Sequence, residues 1–218
     1  MQFRLDLFIQ TLPFLLQGLK TTLGLTFLAM VFGIAFGLVI ALLRISKSPL
    51  LRGLSSIYVD TLRGTPLLLQ ILIVYYVFPG FGLKLDAFTS GVVALSFNSA
   101  AYISEIFRAG IESISFGQFE AANSLGMNYY QTMRYVILPQ TTRRVIPPIT
   151  NEIVALLKDT SLVMITGIAE LTYKSKQISS ATANVLTPYL AAGIIYLLLT
   201  IPLTRLSQNL ERRFAKGD

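Results

Sequence analysis

Long apolar stretches joined by short polar connections constrain how this chain can fold. Between residues 19 and 43 only Lys20 is charged, and about 20 consecutive apolar residues are enough to cross a lipid bilayer. Only 13% of all residues are charged, against about 25% in soluble domains, and the mean hydropathy is +0.63. We therefore predict an all-α polytopic membrane protein. Its five transmembrane helices are expected at residues 19–43, 65–78, 87–106, 145–168 and 186–206.

The segment before the first of these spans has a different pattern. Between residues 3 and 16, apolar side chains recur on one side at helical spacing, with polar residues between them. This pattern is typical of an amphipathic helix that lies in the membrane interface. We predict such an N-terminal interfacial helix here.

The basic residues predict the topology of the chain. Its net charge is +7, but the Lys and Arg residues are scattered between apolar stretches, so nucleic acid is not an expected partner. Of the 18 Lys and Arg residues, the predicted spans place twelve on one side of the membrane, five on the other and Lys158 within a span. Because cytoplasmic loops are rich in Lys and Arg, the N-terminus is expected outside and the C-terminus inside.

The sequence contains no Cys and no His. Thiolate nucleophiles, thiolate metal sites and histidine ligands are therefore excluded, and we predict neither a catalytic site nor a metal site. An intramembrane hydrolase stays open as an alternative because Ser161 lies three residues from Lys158. Helical neighbours of this kind are common by chance.

A polar segment, EAANSLGMNYYQTMRYVILP, separates the third and fourth apolar stretches. It begins with the helix formers Glu120, Ala121 and Ala122, and Gly126 can take the positive φ that ends a short helix. Pro139 is expected to end the following helix. We predict two short helices joined by a bend, in which small Ala side chains allow close approach of a partner. An ordinary amphipathic interfacial loop is the alternative.

Four polar side chains fall near the middle of the predicted spans. Asn98 and Tyr102 share a helical face near the centre of the third span. In the fourth span, Glu152 lies about 6 Å to the cytosolic side of the centre and Asp159 about 5 Å to the outer side. Charged groups at this depth are costly and usually face a cavity or a partner. We therefore predict that these four residues line one substrate pocket.

Two carboxylates with few basic groups favour a cationic substrate. An acid at Glu152 indicates arginine, lysine or another basic amino acid, because a guanidinium can form two bonds to one carboxylate. Pro147 and Pro148, just before it, are expected to leave backbone carbonyls free toward the pocket. For Asp159 and its neighbour Lys158, pairing between subunits or between helices is the alternative role.

The segment from Glu120 to Pro139 resembles the EAA loop of binding-protein-dependent ABC transporter permeases, with Val136 where Ile is more usual. Four further stretches resemble the polar amino acid branch of that family: RGTPLLLQ, AYISEIFRAGIESI, GQFEAANSLGM and NEIVALLKDTSLV. These motifs cover about half of the chain. The resemblance implies one permease domain, residues 1–218, with a type I ABC importer fold and a cytosolic coupling loop at about 112–142.

The resemblance also implies function and partners. In this family the EAA loop forms short coupling helices that sit in a groove on a cytosolic ATPase. The coupling residues it implies are Glu120, Ala121, Ala122, Gly126, Leu138 and Pro139. The expected partners are two ATPase subunits, a second permease subunit and an extracytoplasmic amino acid binding protein, in a prokaryotic cytoplasmic membrane. No phosphate-binding Gly-rich loop is present in this sequence, so ATP and Mg²⁺ are expected on the ATPase and no cofactor on this chain.

One other class of transporter stays open. An ion-coupled secondary amino acid carrier would use Glu152 and Asp159 as its proton or sodium site. Such carriers often consist of two repeated halves, and this sequence shows no internal repeat.

Overall fold

The computed structural model describes residues 2–215, so residues 1 and 216–218 of the predicted 1–218 domain lie outside the described residues. The described chain is all-helical. Its α-helices are α1 Leu5–Arg44, α2 Pro49–Gly64, α3 Leu67–Leu72, α4 Ala87–Glu112, α5 Phe116–Ser124, α6 Tyr129–Thr132, α7 Leu138–Asp159, α8 Leu171–Thr182 and α9 Leu186–Ala215. The main apolar core lies between α1, α3 and α4 and the segment that follows α7.

The predicted interfacial helix at residues 3–16 is not a separate helix. It forms the first turns of α1, which continues for 40 residues, with Pro13 inside it. Leu15 is fully buried in a cluster with residues of α8 and α9, and the backbone N–H of Arg4 donates to Thr187 Oγ1 at 3.0 Å. These contacts bury the face that carries Leu7, Thr11 and Leu15, whereas Leu5, Ile9 and Leu16 of the predicted apolar side stay exposed.

Glycines allow α1 and α4 to cross closely. A Cβ added at Gly33 would lie 3.2 Å from the Cβ of Ser99. One added at Gly37 would lie 2.8 Å from Cγ2 of Ile103 and 3.0 Å from the carbonyl oxygen of Ala100. Small residues four apart are a common way to bring two membrane helices together. This close contact with α1 determines which face of α4 packs against α7.

The crossing predicts opposite effects for two glycines of α1. We expect Gly37→Ala to lower the free energy of unfolding by about 1–3 kcal/mol, because the new methyl group meets the backbone of α4. Gly24 has no atom within 4 Å of an added Cβ, so Gly24→Ala should leave stability equal or slightly higher. Thermal unfolding of both variants in detergent checks this. Equal melting temperatures would contradict the close crossing.

The predicted second span, residues 65–78, corresponds to the second part of a broken helix. The axes of Pro49–Gly64 and Leu67–Phe81 meet at 106°, and the break lies just before Pro66. Gln70 fills this break, since its Nε2 donates to the carbonyl oxygen of Leu62 at 2.8 Å and to Thr65 Oγ1 at 2.9 Å. The side chain of Gln70 thus takes up carbonyl groups that the break leaves without helical partners.

Within residues 2–215, two helices are long and apolar enough to cross a membrane alone, namely α1 and α9 up to Phe214, and the bent pair can supply a third span. The predicted third and fourth spans correspond to α4 and α7, which are more polar. Several polar side chains of α4 are buried inside the bundle: Ser90, Ser96, Asn98, Ser99 and Ser104. The count of five spans stays a prediction.

The connection between α7 and α9 contains a helix where the sequence indicated only a loop. Residues Thr160–Thr166 form a 3₁₀ helix, and α8 follows. Glu170 is fully buried at the N-terminus of α8, where its carboxylate accepts the N–H groups of Thr172 at 2.8 Å and Tyr173 at 2.6 Å. Tyr196 of α9 donates a further bond to it at 3.2 Å. The buried cap explains why an acid stands at this position.

Candidate functional site

A cavity of about 450 Å³ lies between the C-terminal half of α4 and the middle of α7. From Tyr102 to Ser113 it extends about 16 Å along α4, at 1.5 Å per residue. It therefore runs from the middle of the bundle to the end of α4, where the segment of α5 and α6 begins. Its lining residues are Arg63, Tyr102, Glu105, Ile106, Ala109, Gly110, Ser113, Arg144, Pro148 and Glu152.

Glu152 is the carboxylate at the inner end of this cavity. It stands in the middle of α7 and is half-buried. Ser99 of α4 donates its hydroxyl to Glu152 Oε1 at 3.1 Å. Among residues 2–215, no Lys or Arg forms an ion pair with this carboxylate. One hydroxyl leaves most of its acceptor capacity unused, so Glu152 can accept from a ligand.

The opposite wall carries the positive charge of Arg63. Its guanidinium lies 5.1 Å from the centre of the Tyr102 ring, and it pairs with Glu105 at 3.5 Å. Glu105 also pairs with Arg44 of α1 and with Arg108 at 2.9 Å. Arg108 pairs with Glu112 as well, so three guanidinium groups against two carboxylates leave this side of the cavity positive. Glu105 is therefore already neutralised, unlike Glu152.

The structure brings two of the four predicted pocket residues together. Tyr102 and Glu152 line the same cavity. Asn98 is buried one turn away and donates to Gln70 Oε1 at 3.0 Å, so its amide belongs to the network of the helix break. Asp159 lies at the end of α7 and is not among the residues that line this cavity.

Two residues that shape this site were not predicted from the sequence, namely Ser99 behind Glu152 and Arg63 in the cavity wall. Ser99 immediately follows Asn98, and its contact with Glu152 depends on how α4 and α7 cross. Arg63 looked like a topology signal at the end of α2, but the break before Pro66 places it against Tyr102. The RGTP sequence was the available signal, since an Arg beside a predicted helix break stands where a side chain can reach the interior.

The polar segment after α4 forms two short helices joined by a bend, as predicted. Gly126 has φ +76, the left-handed conformation expected at the end of α5. Asn128 then caps α6, because its side chain accepts from the N–H of Gln131 at 2.9 Å while Gln131 returns a bond of 2.9 Å to the backbone of Asn128. The bend is therefore defined by the glycine that ends α5 and by the capping box that begins α6.

The prediction for Pro139 is wrong. This proline does not end a helix but lies in the first turn of α7, directly after a π-helical turn, Met133–Ile137. Proline is tolerated at the start of a helix because its missing N–H has no helical acceptor to lose there. As a result α6, the π turn and α7 form one continuous helical segment that connects the bend to Glu152.

The segment presents an apolar surface around its exposed acid. Ala122 is buried, while Glu120, Ala121, Gly126, Leu138 and Pro139 are exposed. Large apolar side chains are exposed beside them: Phe116, Leu125, Tyr129, Tyr130 and Tyr135, with Leu125 at 82% exposure. Exposed apolar groups of this number on one segment mark a protein or membrane contact.

Comparison with known proteins decides the family. A family model described as "binding-protein-dependent transport system inner membrane component" matches residues 33–216. The chain belongs to this family. As a family member, this permease is a membrane component of an amino-acid ABC importer, and ATPase and binding protein partners follow in general from that class.

Curated relatives match the permease along nearly its whole length. The arginine transport system permease protein ArtQ of Bacillus subtilis is 39% identical over 96% of both chains. The L-cystine transport system permease protein TcyB of the same organism is 43% identical over 92% of this chain and 86% of its own. The glutamine transport system permease protein GlnP of Escherichia coli K12 is 35% identical over 98% of both.

Solved structures confirm the fold. The permease matches a chain from the crystal structure of an amino acid ABC transporter with histidines, with a TM-score of 0.92 and 40% identity over 98% of this chain and 100% of that one. A chain of the inward-facing MetNI methionine ABC transporter gives a TM-score of 0.79 at 19% identity, over 94% of this chain and 98% of its own. The second match shows the fold alone. The fold is that of a type I ABC importer permease.

Proposed function

We propose that this permease carries cationic amino acids such as arginine, lysine or histidine. The observation behind the proposal is the Glu152 carboxylate, which faces the cavity between α4 and α7 with no basic residue paired to it in residues 2–215. A half-buried carboxylate without a cation is costly. A guanidinium or ammonium group of a substrate compensates it.

The cavity walls match the two ends of such a substrate. Glu152 accepts the side-chain cation, and Tyr102 offers an aromatic ring beside it. The positive side of the cavity at Arg63 suits the α-carboxylate. Because relatives named for arginine, cystine and glutamine share the fold, the family alone does not choose the substrate, and Glu152 is the residue that favours a cation.

The proposed assembly contains two permease subunits, identical or sister chains, two ATPase subunits that hold ATP and Mg²⁺, and an extracytoplasmic amino acid binding protein. It lies in a prokaryotic cytoplasmic membrane with the N-terminus outside and the C-terminus inside. The coupling residues Glu120, Ala121, Ala122, Gly126, Leu138 and Pro139 contact the ATPase. A displacement of the coupling residues by the ATPase then shifts the continuous helical segment from α6 to α7, and with it Glu152. ATP binding favours one of two arrangements of the cavity.

The ion-coupled carrier is the less favoured alternative. Membership of the binding-protein-dependent family and the exposed apolar segment both support an ATPase as the energy source. An imposed ion gradient should therefore drive no uptake on its own.

Arginine and citrulline provide the sharpest test of the substrate proposal, because they are similar in shape and differ in charge. Binding of each is measured by calorimetry on the purified permease with its ATPase, without the binding protein. We expect citrulline to bind about ten- to a hundredfold more weakly, since a charged hydrogen-bond partner is worth about 1.5–3 kcal/mol. Equal affinities would contradict a carboxylate-selected cation.

A further inference from the structure

The turn between α1 and α2 lies at the edge of the apolar surface of the bundle. α1 exposes Val39 and Leu42 on its last turns, and α2 exposes Leu50 and Leu54 on its first turns. Exposed apolar side chains on both sides of the turn indicate that hydrocarbon surrounds both helices up to this point. Lys47 lies between them, five residues after Leu42. The turn is therefore at the depth where lipid headgroups begin.

Two cations at this turn have no partner in the described chain. Lys47 in the turn and Arg52 near the start of α2 are both exposed, and within residues 2–215 neither forms an ion pair. Neighbouring Arg44 is different, because it pairs with Glu105 of α4. An ammonium and a guanidinium group at headgroup depth attract the anionic lipids of a membrane surface. The anion that Lys47 and Arg52 lack within the chain is therefore expected from outside it.

Beside the turn lies a cavity of about 550 Å³. One wall comes from the end of α1 and the start of α2, and the other from α5 and α6: Arg44, Ile45 and Arg52 against Phe116, Phe119 and Tyr129. Glu112, the acid in this lining, already pairs with Arg108. An unpaired guanidinium, a neutralised acid and aromatic side chains together suit a ligand with one anionic end.

A phosphodiester matches the donors at this cavity. A guanidinium can form two parallel hydrogen bonds to phosphate oxygens, and an ammonium group adds a point charge. We propose that the cavity holds the headgroup of an anionic phospholipid, whose phosphate lies between Arg52 and Lys47 and whose acyl chains lie on the exposed apolar side chains of α1 and α2. This inference goes beyond the proposed function, which requires no particular lipid.

The lipid headgroup connects the turn to the segment of α5 and α6. These two short helices pack mainly against each other and against the π turn before α7. Because Phe116 and Tyr129 form the far wall of the cavity, a headgroup inside it restrains α5 and α6 relative to α1 and α2. The position of the exposed surface around Glu120 then depends on the lipid. ATP hydrolysis by the assembled transporter is therefore expected to respond to anionic lipid.

Lipid retention tests the site directly. The permease with its ATPase is assembled in phosphatidylcholine discs that contain increasing fractions of phosphatidylglycerol, and native mass spectrometry counts the phosphatidylglycerol that stays bound. Lys47→Gln and Arg52→Gln should each weaken retention about fivefold, because each removes one charge at the membrane surface. Arg212→Gln removes an exposed base at the end of α9 and is the matched control, with retention equal to that of the natural chain. Unchanged retention in the double variant would overturn the proposal.

ATP hydrolysis in the same discs separates a lipid from other anionic partners. We expect phosphatidylglycerol to stimulate hydrolysis with the natural chain, and the double variant, Lys47→Gln with Arg52→Gln, to lose most of this stimulation. Inorganic phosphate added to phosphatidylcholine discs should not stimulate, because it has no acyl chains. If the double variant released the ATPase at every lipid composition, the two cations would bind the ATPase and the proposal would be wrong. ATP-driven arginine uptake by the natural chain would still support the proposed function.

Discussion

Glu152→Gln should lower ATP-driven arginine uptake by about ten- to a hundredfold, because the amide keeps the size of the carboxylate but not its charge. Gln can still accept the hydroxyl of Ser99, so the contact between α4 and α7 is retained. Uptake of a neutral amino acid should fall much less. The measurement is the uptake of both amino acids in proteoliposomes that contain the ATPase and the binding protein.

Glu211→Gln is the matched control for this substitution, because Glu211 is an exposed acid near the end of α9. Its uptake should equal that of the natural chain. If Glu152→Gln reduced cationic and neutral uptake equally, the effect would be one of folding, and the assignment of Glu152 to the substrate cation would be wrong.

Gly126→Val should weaken attachment of the ATPase about tenfold. The backbone at Gly126 has φ +76, and holding a side-chain-bearing residue there costs about 1–2 kcal/mol, more when it is β-branched. The strain displaces α5 from α6 and with it the exposed surface around Glu120. Co-purification of the ATPase over a range of concentrations measures the change.

Gly126→Asn separates backbone strain from added bulk, since Asn tolerates the left-handed conformation and an added Cβ meets no atom within 4 Å. This variant should retain most ATPase binding. Attachment as strong with Val as with Gly would show that the bend does not set the coupling surface.

Features that depend on local sequence were predictable. The apolar length of α1, the close approach at Gly33 and Gly37, the positive φ of Gly126 and the local pair of Glu105 with Arg108 all follow from residues near each other in the chain. Each of these outcomes is set by backbone conformation or by helical spacing, which the sequence encodes directly.

Features that depend on tertiary packing were not predictable. The first turns of α1 continue into the long helix and bury Leu15 because α8 and α9 pack against that face. Pro139 begins a helix because a π turn precedes it, and Arg63 reaches Tyr102 only because the helix bends by 106° before Pro66. A short sequence pattern cannot distinguish these outcomes, since each requires knowledge of what lies opposite.

The most direct test of ATP-driven import of a cationic amino acid is the uptake of labelled arginine into proteoliposomes. The vesicles contain the permease, its ATPase and the binding protein, and receive either internal ATP or an imposed proton or sodium gradient. We expect arginine uptake that requires ATP and exceeds citrulline uptake, with no uptake under the gradient alone. Arginine uptake driven by a gradient without nucleotide would contradict it.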